Sequence, residues 1–210
     1  MKLQSQVKDY TVEIIDNAFE QFRTLLADMK FNRPFYFIDE AVYRAYQKDF
    51  EKIIGNDRHA LIPATESNKD YVHLANYYRV LIDAGFQRGD LLVTFGGGIL
   101  QDISGFIAST LYRGLKWAFF PTTLLAQADS CIGSKTSINF SESKNLIGTF
   151  YPPDRIYIDA TFCQSLNDSY FNSGIGEVIK FHLLSDALGY QKLKEFLSLH
   201  KSTHHSKYIL

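Results

Sequence analysis

Residues 91–111 constrain the fold more than any other stretch of the chain. LLVTF, residues 91–95, is a short unbroken apolar run suited to a parallel strand buried on both faces. Gly96, Gly97 and Gly98 follow at once, and the pattern then switches to helical spacing, with Ile99, Ile103, Phe106, Ile107 and Leu111 on one face. A strand that runs through glycines into a helix is the physical recipe for a dinucleotide pyrophosphate site. Glycines let the backbone come close, and a helix N-terminus offers free N–H groups and a positive dipole. The triplet is not the G-x-G-x-x-G fingerprint. Taken alone it reads equally as a tight strand-to-helix turn, with Asp102 as a first-turn stabiliser of the helix.

The remainder of the chain alternates in the same way, which predicts the α/β class. Strands are expected at Tyr10–Ile15, Pro34–Ile38, His59–Ile62, Lys116–Phe120 and Arg155–Ile158. Helices are expected at Ala18–Met29, Val42–Ile53 and Tyr71–Ala84, from near Gly174, and again beyond Leu188. The segment Ser130–Asn145, rich in Ser, Gly, Lys and Asn, reads as a loop made for polar contacts. The terminal HKSTHHSKYIL reads as a basic, solvated tail; its His200, His204 and His205 would need a structured support to act as metal ligands.

Composition narrows the function classes. With 22 Lys+Arg against 23 Asp+Glu and a net charge of −1, a nucleic-acid or anionic-membrane surface is not expected to be the main business of the chain. No apolar run approaches membrane-spanning length and the opening MKLQSQVKDY has no apolar core, so the cytoplasm is the expected location. Two cysteines, Cys131 and Cys163, are too few for a disulfide framework and too far apart for a C-x-x-C pair; both read as buried thiols.

Further polar groups are placed where chemistry needs them. After the strand 116–120, Pro121 leads into Thr122 and Thr123, which either cap a helix or line a crevice beside the glycines. Lys135, Lys144 and Asn145 place cationic and amide donors in one segment, as a phosphate pocket requires and as a solvated loop also allows. Arg113 before Gly114 is open to both readings. In GIGEVIKFH, Glu177 and Lys180 share a helix face at i, i+3, either as a surface ion pair or, on a cleft wall, as a metal-binding carboxylate and a substrate-binding ammonium.

Taken in order, GGGILQDISGFIASTLYRG, FFPTTLLAQADSCIGSKTSIN, KNLIGTFYPP and SGIGEVIK resemble the 3-dehydroquinate synthase family of sugar-phosphate cyclases, from Gly96 to about Lys180 and more loosely back to Asp39. The resemblance implies a Rossmann-like NAD-binding domain over residues 1–172, followed over 173–210 by the first helices of a truncated helical domain. It implies a phosphate-eliminating lyase that uses NAD and a divalent metal, zinc or cobalt, to turn a seven-carbon sugar-acid phosphate into a carbocycle. In the implied chemistry NAD takes a hydride, phosphate is eliminated, the hydride returns, and the opened ring closes by aldol addition.

By the same resemblance, Asp39, Glu66, Lys69, Gly97, Gly98, Asp102, Thr122, Thr123, Lys144, Phe162 and Ser165 surround the dinucleotide. Asp129 and Lys180 would face substrate hydroxyls. Lys135 and Asn145 would sit at the phosphate and nicotinamide end, with Lys135 touching the cofactor as well. Arg113 would reach the phosphate from the neighbouring subunit of a homodimer, and Glu177 would be the first metal ligand. Four positions depart from the family pattern: Gln101 and Ser134 stand where glycine is usual, Ser165 for threonine and Tyr170 for glutamate. These departures bear on the substrate, and a related sugar such as sedoheptulose 7-phosphate is an alternative. The family's two histidine metal ligands lie in its helical domain, and the sequence stops about thirty residues beyond Glu177, so an incomplete catalytic site is expected. Two other readings remain: a metal- and NAD(P)-dependent polyol dehydrogenase of the related fold, and a non-catalytic NAD-binding module.

Overall fold

Successive side chains of the central strands enter two different cores. Phe35 and Phe37, Leu92, Trp117 and Phe119, and Ile156 and Ile158 pack on one face of the sheet. Tyr36 and Ile38, Leu91, Val93 and Phe95, Ala118 and Phe120, and Tyr157 pack on the other. This period of two, with both faces apolar, is what a parallel sheet sandwiched between helices demands. The computed structural model describes residues 1–199. Its elements are β1 (Lys2–Leu3), β2 (Tyr10–Ile14), α1 (Ala18–Ala27), β3 (Pro34–Asp39), α2 (Glu40–Ala45), α3 (Gln47–Ile54), β4 (His59–Ile62), α4 (Tyr71–Asp83), β5 (Leu91–Gly96), α5 (Gly98–Thr110), β6 (Lys116–Pro121), β7 (Lys135–Phe140), β8 (Ser143–Phe150), β9 (Arg155–Ile158), α6 (Asp168–Leu184) and α7 (Ala187–Leu199).

The main sheet has the order β1-β2-β9-β6-β5-β3-β4 and is parallel except for the short edge strand β1. Helices α4 and α5 cover one face through Leu74, Leu81, Ile103, Phe106 and Ile107. Helices α1 and α3 cover the other through Phe22, Leu26, Phe50 and Ile54. Aromatic rings fill that second core: Phe95 stacks on Phe120 with centroids 4.3 Å apart, and Phe22 and Phe162 close around them. The class read from the alternation, α/β with a Rossmann-like parallel sheet, is the architecture of the chain.

Four sequence expectations change. The helix expected over Val42–Ile53 is two helices, because Tyr46 leaves helical geometry at φ −122°, ψ 30°. The loop expected from Ser130 to Asn145 is largely a hairpin, β7 paired antiparallel with β8, in which Thr136 and Ile138 turn inward and are buried. Its polar composition masked the alternation. The last long helix begins at Asp168 rather than near Gly174: the Asn167 side chain accepts from the Tyr170 N–H at 3.0 Å and caps it. Finally, Asp102 is not in the first turn of α5, which starts at Gly98. The tail histidines lie outside the described residues. Among the described residues no helix is long and apolar enough to cross a membrane.

Candidate active site

From β3 the chain steps outward to β4, returns across β3 to β5, and then proceeds the other way through β6 to β9. The order of strands therefore reverses between β3 and β5, and a crevice opens beyond their carboxyl ends, where ligands bind in sheets of this kind. Asp39 ends β3, Gly96–Gly98 end β5, and Thr122 and Thr123 follow β6. A separate cleft of about 660 Å³, lined by Phe22, Lys30, Pro34 and Asp57 among others, opens at the opposite end of the strands.

Each residue at this crevice has a local reason for its place. Asp39 caps α2, its carboxylate accepting from Ala41 N at 2.9 Å, and burial pushes its pKa up against that bond. Gly97 is needed for space and not for its dihedral angles: a Cβ there would lie 2.8 Å from Thr123 Cγ2. Because glycine occupies the cap, no side chain caps α5, and its first N–H groups are left for a ligand. Thr123 Oγ1 accepts from Ala126 N at 3.2 Å, so this threonine is a cap. Thr122 is different, since its hydroxyl is buried and makes no hydrogen bond within the described residues.

Beside the glycines lies a network that binds three elements together. Asp102 on α5 accepts from Ser137 N at 2.8 Å and Ser137 Oγ at 3.0 Å, and pairs with Lys69 Nζ at 2.5 Å. Lys69 also donates to Asn145 Oδ1 at 2.6 Å and is almost wholly buried. Burial pushes the Asp102 carboxyl up, while Lys69 and Ser137 pull it back down. The net direction stays upward, with the Lys69 contact the main counterweight to burial. Glu66 is drawn aside: its Oε1 accepts from Asn139 Nδ2 at 2.8 Å, and Asn139 Oδ1 in turn accepts from Asn145 N at 2.9 Å.

Helix α6 forms another wall. A Cβ at Gly174 would stand 2.6 Å from Leu124 Cβ, so only glycine lets α6 settle on the segment leading into the π-helical turn Ala126–Ser130. Glu177 lies on the same helix face at i+3. Lys180 contacts Glu177, and the pair raises the lysine pKa, with Asp129 adding to the rise from the facing turn. Asp129, Glu177 and Lys180 are thus brought together.

Other expected site residues are not part of these clusters. Phe162 is fully buried among Phe19, Tyr46 and Phe95, so its ring belongs to the core. The Ser165 hydroxyl donates to Phe162 O at 3.0 Å. Lys135 and Lys144 are exposed on the hairpin. Arg113 sits beyond the C-terminal end of α5, a helix of 13 residues and so about 20 Å from its glycine end, with φ 66°. Burial pushes the thiols of Cys131 and Cys163 up to about 12. The sequence reading missed Ser137, Asn139 and the pair Gln101–Ser130; the alternation of Thr136, Ser137 and Ile138 inside a polar stretch was the signal available for the first.

These groups suit a dinucleotide: an uncapped helix start, a glycine too close to Thr123 for any Cβ, and an unpartnered buried hydroxyl at Thr122. A metal centre is not assembled in the same way. Among the described residues no three His, Cys, Asp or Glu side chains gather to hold an ion, and Glu177 is a single candidate ligand.

Fold and crevice define a Rossmann-like α/β module whose open helix start lies at the crevice. Residues 59–173 match the family model described as 3-dehydroquinate synthase N-terminal, and the chain belongs to that family. It is 34% identical over 199 residues to a 3-dehydroquinate synthase of Streptococcus pyogenes serotype M3, covering 93% of this chain and 56% of that protein. Among solved structures, the 2-epi-5-epi-valiolone synthase ValA of Streptomyces hygroscopicus subsp. jinggangensis, with NAD+ and Zn2+ bound, superposes at a TM-score of 0.75 with 29% identity over 86% of this chain and 51% of its own. A 2-deoxy-scyllo-inosose synthase complexed with carbaglucose-6-phosphate, NAD+ and Co2+ shares the fold at a TM-score of 0.77 and 21% identity, over 86% and 51% of the two chains. The chain spans about half the length of the relatives it matches.

Proposed function

We propose that this chain is the cofactor-binding part of a 3-dehydroquinate synthase-type lyase. The enzyme would cyclise a seven-carbon sugar-acid phosphate with loss of phosphate, acting in the cytoplasm as a homodimer. The observation that carries the reading is the start of α5 at Gly97, which no side chain caps, at the crevice between β3 and β5. When bound, NAD supplies a temporary hydride acceptor.

The chain's own residues then have distinct tasks. The first N–H groups of α5 and the Thr122 hydroxyl bind the dinucleotide, and Asp39 at the end of β3 accepts from a ribose hydroxyl. Lys69 and Asp102 orient it from the side. Asp129 and Lys180 face substrate hydroxyls across the crevice, and Lys135, Lys144 and Asn145 present cations and an amide to phosphate. Arg113 would serve the crevice of a partner subunit, since α5 carries it away from its own. Glu177 would give one ligand to a divalent zinc or cobalt ion, the other ligands lying in sequence that a full-length member adds.

Calorimetry with NAD tests the reading, together with phosphate release from 3-deoxy-D-arabino-heptulosonate 7-phosphate in the presence of NAD and zinc or cobalt, with an EDTA control. NAD binding without release by this 210-residue chain is the expected result. Absence of NAD binding would overturn the cofactor role, and metal-dependent release would overturn the incomplete-site reading.

A further inference from the structure

Four polar groups beside the crevice close a circuit. Lys69 Nζ touches Asp102 Oδ2 at 2.5 Å and Asn145 Oδ1 at 2.6 Å; Ser137 Oγ touches the same two oxygens at 3.0 and 2.9 Å. Lys69 can only donate, which turns the oxygen of the Asn145 amide toward the circuit. Both partners of Ser137 Oγ are therefore acceptors. A hydroxyl carries one proton, so it satisfies one of them at a time. The ammonium, with three protons, serves both.

Ser137 is also the residue whose N–H holds the other carboxylate oxygen, Asp102 Oδ1, at 2.8 Å. It sits in β7 opposite Gly148 of β8, while Asn145, on β8, has a left-handed φ of 56° that aims its side chain back at β7. The circuit thus joins the helix that opens at the glycines, the turn that carries Lys69, and both strands of the hairpin.

We propose that Ser137 is a positioning residue: when a dinucleotide draws Lys69 out of the circuit, its hydroxyl gives its proton to the Asp102 carboxylate and accepts from the Asn145 amide, whose N–H turns in once the lysine no longer holds its oxygen, and so keeps the two in register. The inference rests on the NAD-binding reading above. With Lys69 gone to an anionic or hydroxylated ligand, Asp102 and Asn145 lose their shared donor, and Ser137 is the remaining group in contact with both. An alanine there keeps the backbone N–H on Oδ1 and removes only the hydroxyl.

The test compares NAD affinity by calorimetry in the parent chain, Ser137→Ala and Ser137→Thr, with thermal melting of each. Loss of one hydrogen bond to a charged group predicts about tenfold weaker NAD binding in Ser137→Ala. Ser137→Thr keeps a hydroxyl on a strand that favours β-branched residues, and should recover most of the affinity. Melting temperatures should stay together, because Thr136 and Ile138 hold the hairpin in the core in all three. Parent-like affinity in Ser137→Ala overturns the proposal while leaving NAD binding intact, and so does a threonine variant as weak as alanine. A parent chain that does not bind NAD overturns both this and the reading beneath it.

Discussion

Gln101 and Ser130 hold each other twice. The Gln101 Nε2 donates to Ser130 O at 2.5 Å, and Ser130 Oγ donates back to Gln101 Oε1 at 2.9 Å. This reciprocal pair ties the second turn of α5 to the π-helical turn that bears Asp129.

Removing the carboxamide should therefore loosen the Asp129 turn. Gln101→Ala removes both bonds from the half-buried Ser130, and the expected loss is about 0.5–1.5 kcal/mol in urea unfolding. A variant as stable as the parent would show that water replaces the pair without cost.

Burial raises the Asp39 pKa, so ionising this carboxyl is harder in the folded chain than in the unfolded one. Its cost to stability is present above the folded pKa and disappears as pH falls below the unfolded value of about 3.9. Asparagine caps helices as well as aspartate does. Asp39→Asn should accordingly melt no lower than the parent at pH 7, with the two curves converging toward pH 4, while NAD binding weakens at neutral pH. A variant less stable at pH 7 than at pH 4, relative to the parent, would contradict the sign.

Two glycines should respond to the same substitution in different ways. Gly97→Ala forces a methyl against Thr123 at 2.8 Å and Gly174→Ala forces one against Leu124 at 2.6 Å. Each overpacking is expected to cost about 1–3 kcal/mol. Gly97→Ala should also abolish NAD binding, measurable by calorimetry, whereas Gly174→Ala should leave NAD binding and displace Glu177 and Lys180.

Ser134 holds a left-handed φ of 67°. For a residue with a side chain that conformation costs about 1–2 kcal/mol, and glycine's greater unfolded freedom offsets about 0.5–1 kcal/mol of the relief. Ser134→Gly should raise the urea midpoint slightly. A fall would mean that the serine side chain, which is buried, contributes more than its backbone strain removes.

The strands and their two cores were legible because period-two patterning and apolar runs are local. So was the crevice, since glycine triplet and Pro-Thr-Thr each end a strand. The hairpin was not: Ser137, Asn139 and Asn145 look like loop residues until Asp102, 35 positions from Ser137, supplies the acceptor that makes Ser137 a strand contact. The burial of the Phe162 ring was illegible for the opposite reason. A resemblance transfers a position, but whether the ring or the backbone faces the ligand depends on Phe19, Tyr46 and Phe95, which come from other elements.

Strand β2 finds its parallel partner only in β9, where Thr11 stands beside Arg155. The bonds that seat it are equally remote: Lys8 reaches Asp154 across 146 positions, and Ala18 N reaches the Asp159 carboxylate across 141. Strands β3 to β6 have no such delay. During synthesis they can assemble while the first strand still waits for Ile158 to leave the ribosome, and contacts this distant in sequence are slow to form. Strand β2, made before β3 to β6, is therefore seated after them, and translation that stops before Ile158 leaves β6 as an uncovered edge open to pairing with another chain.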